Sequence, residues 1–218
     1  MLIKLFNDKT DSIAVRAPSK EPMNFTGLCD QIIYTNSTLN NIGVGRNDRV
    51  AIVLPNGPHA ATAFLSVASG ASAAPLNPSY KKDEFEFYMD DLEVKCLLID
   101  EGSNSTAIEA AQKLNIPVLW LVADESIAGK FTLNTEQMPE NPLGNESGFN
   151  GDDDEALVLH TSGTTGRPKI VPLSLKNVLA SARNIGNTLS LTSEDKGVGI
   201  MALFHIHGLM ASVTAPLA

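Results

Sequence analysis

Between residues 49 and 122, short apolar runs alternate with amphipathic stretches, and this rhythm leaves few folds open. Arg49–Leu54 (RVAIVL), Ala71–Leu76, Lys95–Ile99 and Pro117–Val122 read as buried strands. Between them, Ala60–Ser69, Lys81–Leu92 and Ser105–Leu114 have helical spacing, with Ser79 a candidate cap for the second and Glu84 and Glu86 near its start. Strand–helix–strand repetition predicts an α/β fold: a mostly parallel sheet with helices on both faces. Upstream, Thr26–Ile42 reads as a helix through Leu28, Cys29, Ile32, Ile33 and Leu39. Downstream, residues 131–155 are polar and aperiodic and read as a long excursion or linker. The rhythm then resumes with a strand at Ala156–His160, a strand at Lys169–Leu173, a helix at Ser174–Leu189 capped by Ser174, and a strand at Gly197–Leu203.

Charge narrows the function classes. The formal charge is −9, and residues 131–155 carry seven acids and no Lys or Arg, which leaves −2 for the rest. Such a balance excludes a general nucleic-acid binder. Asp152–Glu155 reads as a solvated linker end rather than a metal site, because adjacent acids repel. Cys29 and Cys96 lie far apart in apolar contexts and read as buried free thiols, which points to the cytoplasm or another reducing intracellular compartment. The N-terminus lacks the apolar core of a secretory signal. Ala60–Leu76, the least polar long stretch, is broken by Thr62, Ser66, Ser69, Gly70, Ser72 and Pro75 and does not span a membrane.

The chemistry concentrates in Thr161-Ser162-Gly163-Thr164-Thr165-Gly166-Arg167-Pro168-Lys169, directly after an apolar strand. Glycines let a loop present successive N–H groups, hydroxyls donate to phosphate oxygens, and Lys and Arg supply charge. A loop of this composition at a strand end suits a polyphosphate. It is not a Walker A loop: two residues separate Gly163 from Gly166, and Ile170 rather than a hydroxyl follows Lys169.

These nine residues resemble the signature loop of the adenylate-forming superfamily, which includes acyl-CoA synthetases and the adenylation domains of peptide synthetases. Gly45–Pro55, Gly70–Tyr80 and Leu203–Leu209 (LFHIHGL) are similar to further family segments in the same order, the last of them to the motif lining the acyl pocket. Ile170 departs from the glycine most members carry there. The chain also stops at Ala218, before the family's later motifs for adenine, Mg²⁺ and ribose and before its C-terminal lysine. The resemblance therefore implies the N-terminal portion of a longer ATP-dependent carboxylate–CoA ligase, close to oxalate–CoA ligases and inactive alone. Apolar surface near residues 195–218 would then favour self-association.

By the same resemblance, the co-substrates are ATP, coenzyme A and a small carboxylic acid. Thr161, Ser162, Gly163, Thr164, Thr165, Gly166 and Lys169 would hold phosphate, and Lys169 and His205 would act in adenylation. Mg²⁺ would take most of its ligands outside these residues. The expected organisation is an N-terminal segment (1–48) belonging to a neighbouring subdomain, an α/β subdomain (49–195) with the loop at 161–169, and the start of a second subdomain (196–218). Alternatives are an amino-acid adenylation domain, disfavoured because His205 stands where an Asp usually pairs with the substrate ammonium, and a non-catalytic nucleotide-binding module. Of the other histidines, His59 reads as a surface or capping residue and His160 as a packed strand-end residue. His205 and His207 would share a face if the strand continued through them.

Overall fold

The computed structural model describes residues 11–138, 146–161 and 168–218. A short antiparallel pair, β1 (Ile13–Val15) and β2 (Met23–Asn24), leads into helix α1 (Phe25–Asn41). Asn24 caps that helix, its Oδ1 accepting from the Gly27 N–H at 2.8 Å. The alternating core follows: β3 (Arg49–Val53), α2 (Pro58–Val67), β4 (Ser72–Pro75), α3 (Lys82–Asp91), β5 (Cys96–Asp100), α4 (Thr106–Lys113) and β6 (Val118–Ala123). Then come β7 (Phe131–Asn134), β8 (Glu155–Thr161), β9 (Lys169–Ser174), α5 (Leu175–Leu189) and a π-helical segment, Gly208–Thr214.

Among the described residues the main sheet has seven strands in the order β7-β6-β5-β3-β4-β8-β9. The five inner strands run parallel, while β7 and β9 are antiparallel to their neighbours at the two edges. Each parallel strand is buried on both sides, as its near-continuous apolar run requires. One apolar layer joins α1, α2 and α5 to the sheet through Leu28, Ile32, Phe64, Leu65 and Val178. The opposite layer joins α3 and α4 to it through Phe85, Met89, Ala107 and Ala110. The α1 helix thus shares one core layer with residues on both sides of position 48.

The seam between β4 and β8 is thin, with the register pair Ala73 opposite Leu157. In a parallel strand, alternate residues bond to alternate neighbours. The Leu76 N–H donates to the Ile52 carbonyl on β3 at 3.0 Å, so position 75 faces β8, and Pro75 has no N–H to offer. The ladder therefore opens towards the C-terminal ends of the strands. At the opposite ends, side chains close the seam. Arg49 grips Glu155 with two bonds, Nε to Oε1 at 2.7 Å and Nη2 to Oε2 at 2.9 Å. Ser72 Oγ donates to the same Oε1 at 2.7 Å. One carboxylate thereby ties β3, β4 and β8 together.

Several expectations are corrected. Ser79 does not cap α3. Instead the Glu84 carboxylate accepts the Lys81 N–H at 2.9 Å. The polar stretch 131–155 contains β7, an edge strand with Phe131 and Leu133 turned inward. The acidic run is not wholly solvated, because Glu155 pairs with Arg49 and Asp154 accepts from Arg46 Nη1 at 3.2 Å. Burial alone would raise the Asp154 pKa, but bonds from the Gly151 N–H, Asn47 and Arg46 outweigh it and lower the pKa on balance. Cys96 is buried, which pushes its thiol up to about 12, whereas Cys29 is only partly buried. No strand forms at Gly197–Leu203. The stretch is irregular, its Ile200 N–H bonding back to the Val198 carbonyl at 3.2 Å, with Val198 78% and Ile200 81% exposed. No helix among the described residues is long and apolar enough to cross a membrane.

The Arg49–Glu155 pair generates a stability prediction. Glu155→Ala leaves the part-buried guanidinium with only the Leu92 carbonyl and should lower unfolding free energy by about 1–3 kcal/mol in chemical denaturation. Arg49→Met in the same chain should recover part of the loss. A single-variant loss below about 0.5 kcal/mol would reduce the pair to an ordinary surface contact.

Candidate active site

Parallel strands deliver their C-terminal ends to one edge, where open α/β sheets bind ligands. Thr161 ends β8 at that edge, and Lys169, the first residue of the antiparallel β9, lies opposite it in register. Directly opposed residues on paired strands project to the same face. Both are exposed, so a hydroxyl and an ammonium stand side by side at the mouth of the hairpin. Ser162, Gly163, Thr164, Thr165, Gly166 and Arg167 lie outside the described residues.

One residue back from the mouth, the hairpin is anchored. His160 and Ile170 oppose each other and face α3. His160 Nε2 lies 2.9 Å from Asp91 Oδ2, and its ring meets Tyr88 edge-on at 4.7 Å. The His160 side chain is 7% exposed, in keeping with a packed strand-end histidine. Ile170, where the resembling family favours glycine, fills the same apolar layer.

The second expected element, Phe204-His205, reaches the same edge by another route. Asn56, in the turn after β3, accepts the Leu203 N–H at 2.8 Å and donates to the Met201 carbonyl at 3.2 Å. Leu203 and Phe204 then close a small cleft over Ile52, Leu54, Phe64 and Leu76 at the ends of β3 and β4. His205 follows in a tight turn, its N–H donating to the Ala202 carbonyl at 3.2 Å, and its side chain is exposed. Gly208 is required here. A Cβ at that position would stand 2.3 Å from the Ala202 carbonyl oxygen. Helix begins at Ile206, so His205 and His207 do not share a strand face, and His207 instead lines a groove against α5 with Ile185 and Leu189. Among the described residues no hydrogen bond or ion pair joins His205 to Thr161 or Lys169.

His59 is less peripheral than its sequence context suggests. It lies in the first turn of α2, partly buried, and its Nε2 has no hydrogen-bond partner among the described residues. The nearby Asp100 has a raised pKa because of its burial, partly countered by the His59 charge. The sequence pattern does not mark Asn56 or Asp91, because both act through residues far away along the chain.

The model of the family described as AMP-binding enzyme matches residues 7–218. The chain belongs to the AMP-binding enzyme family. An oxalate–CoA ligase of Arabidopsis thaliana is 36% identical over 218 residues, which is 95% of this chain and 42% of that protein. An oxalate–CoA ligase of Saccharomyces cerevisiae is 33% identical over 237 residues, covering 94% of this chain and 44% of that protein. The chain thus spans less than half the length of these relatives. Apo MatB from Rhodopseudomonas palustris superposes with a TM-score of 0.80 at 24% identity, over 99% of this chain and 43% of that one. For this AMP-binding family member, that likeness establishes the fold.

The anchor beneath the hairpin mouth can be tested directly. Asp91→Ala removes the partner of the nearly buried His160 and should lower stability by about 1–3 kcal/mol, with Asp91→Asn closer to wild type. Denaturation curves check this, and identical midpoints for all three proteins would make the contact incidental.

Proposed function

We propose that this chain is the N-terminal part of an ATP-dependent carboxylate–CoA ligase acting through an acyl-adenylate. The observation that carries this reading is the convergence of Thr161 and Lys169 with Phe204-His205 on one sheet edge, in a member of the AMP-binding enzyme family. The names of the relatives support it, and two of them are oxalate–CoA ligases. A small carboxylic acid, with a short diacid first among candidates, is therefore the substrate class we favour.

The chemistry follows from charge. A carboxylate acylates poorly because its leaving group is oxide. Attack of a carboxylate oxygen on the α-phosphorus of ATP forms a C–O–P bond and expels pyrophosphate. A thiol, that of coenzyme A, then takes the acyl group and releases AMP. The first step brings an anion towards a polyanion, so the site must neutralise charge and hold the phosphates in line. Lys169, exposed at the hairpin mouth with the Thr161 hydroxyl beside it, fits this need. His205, on the pocket turn, would donate to a carboxylate oxygen and hold it near the α-phosphorus. Mg²⁺, when bound, would draw charge from the phosphates. Among the described residues no cluster of three His, Cys, Asp or Glu is available for it, so we assign it no ligand among them. Exposed Leu189, Val198, Ile200 and Ile206 support the further reading that the isolated chain self-associates.

Half-reactions in the intact protein separate these roles. Lys169→Ala should slow adenylation by about 2–4 kcal/mol of transition-state stabilisation, while thioester formation from pre-made adenylate is spared, because pyrophosphate has already left. His205→Ala should raise the carboxylate KM with the ATP KM nearly unchanged. Equal damage to both half-reactions by Lys169→Ala would mean that it serves structure rather than phosphate.

A further inference from the structure

We infer that Asn56 is a positioning residue. Its carboxamide fixes the backbone at Met201–Leu203 and so aims Phe204-His205 at the reacting carboxylate. The inference rests on the ligase reading for its functional half only.

Residues 197–203 carry β-forming side chains but form no strand among the described residues; the Ile200 N–H bonds back to the Val198 carbonyl at 3.2 Å, and the chain bends at Met201. An irregular segment without ladder partners wanders unless other groups hold its backbone. Asn56 supplies that hold. A carboxamide carries one acceptor and one donor face, as a peptide group does, and here both are used on alternate residues of one segment: Oδ1 takes the Leu203 N–H and Nδ2 reaches the Met201 carbonyl. The carboxamide thus clamps the backbone on both sides of Ala202 from the turn after β3.

Apolar packing locks the clamp in place. Leu203 and Phe204 close over Ile52, Leu54 and Phe64, so the segment cannot slide along the Asn56 side chain without uncovering the cleft. Immediately beyond, the His205 N–H bonds back to the Ala202 carbonyl, and Gly208 packs against that same carbonyl group. The turn that orients the His205 side chain is therefore built on the Ala202–Leu203 peptide, the same peptide whose N–H Asn56 holds. Shortening or reshaping Asn56 should free the turn without touching the hairpin mouth at Thr161 and Lys169, which hangs from β8 and β9.

The test uses Asn56→Ala and Asn56→Asp with two readouts. Amide hydrogen exchange in this chain reads the clamp itself. Asn56→Ala should speed exchange of the Leu203 N–H by about tenfold while the β3 amides of Val50–Val53 stay protected, and Asn56→Asp, which keeps the acceptor and loses the donor, should fall between. Steady-state adenylation by the intact protein reads the positioning. Asn56→Ala should raise the carboxylate KM severalfold while the ATP KM stays within twofold, and Asn56→Asp should restore part of it. Unchanged exchange at Leu203, or loss of β3 protection together with it, overturns the clamp. Faster exchange with an unchanged carboxylate KM, or with both KM values raised alike, overturns the positioning role. If the unmutated intact protein adenylates no acid, the ligase reading fails on its own, and with it the positioning role, while the exchange result still decides the clamp.

Discussion

The central sheet of this chain depends on how β4 meets β8. The strands β3 to β7 stand on one side of that seam, and the hairpin that bears Thr161 and Lys169 stands on the other. Pro75 removes a backbone donor from the seam at its C-terminal end, so the ladder cannot zip fully. The Arg49–Glu155–Ser72 network secures it at the N-terminal end. A seam fastened at one end and open at the other leaves a crevice at the edge where parallel strands present their loops. The proposed chemistry sits at this edge. The network that makes the crevice affordable is at the far ends of the same strands.

Two different devices bring the site residues to the open edge. Thr161 and Lys169 arrive through regular antiparallel pairing, backed by His160 against Asp91 and by Ile170 in the apolar layer over α3. Phe204-His205 arrives on an irregular segment that has no strand partner and is held by the Asn56 carboxamide and a small apolar cleft. This division suits a reaction with two charged partners. A regular hairpin is a rigid mount for phosphate contacts, whereas a segment held by two hydrogen bonds can be tuned to the acid without disturbing the sheet.

The legible part of the sequence was the part governed by local periodicity. The inner strands and α2 to α5 could be read because burial on both faces of a parallel sheet forces continuous apolar runs, and helices between them keep their own period. The short β7 was hidden inside a polar stretch, since an edge strand needs only Phe131 and Leu133 inward. Gly197–Leu203 failed in the opposite sense. Its β-forming side chains are present, but a strand needs a neighbour, and none lies beside it among the described residues. Of the proposed site, a motif singles out Lys169 and His205. Asn56 carries no such mark, because its partners lie 145 and 147 residues away and only the fold brings them together. Glu155 was misread for a like reason, its partner Arg49 being 106 residues distant.

The decisive measurement is mass-spectrometric detection of acyl-adenylate formed by the intact protein from ATP and a panel of carboxylic acids that includes short diacids. The account predicts an adenylate with at least one of them, accompanied by pyrophosphate and abolished by Lys169→Ala. ATP binding with no adenylate from any acid would contradict it and leave a nucleotide-binding module in its place.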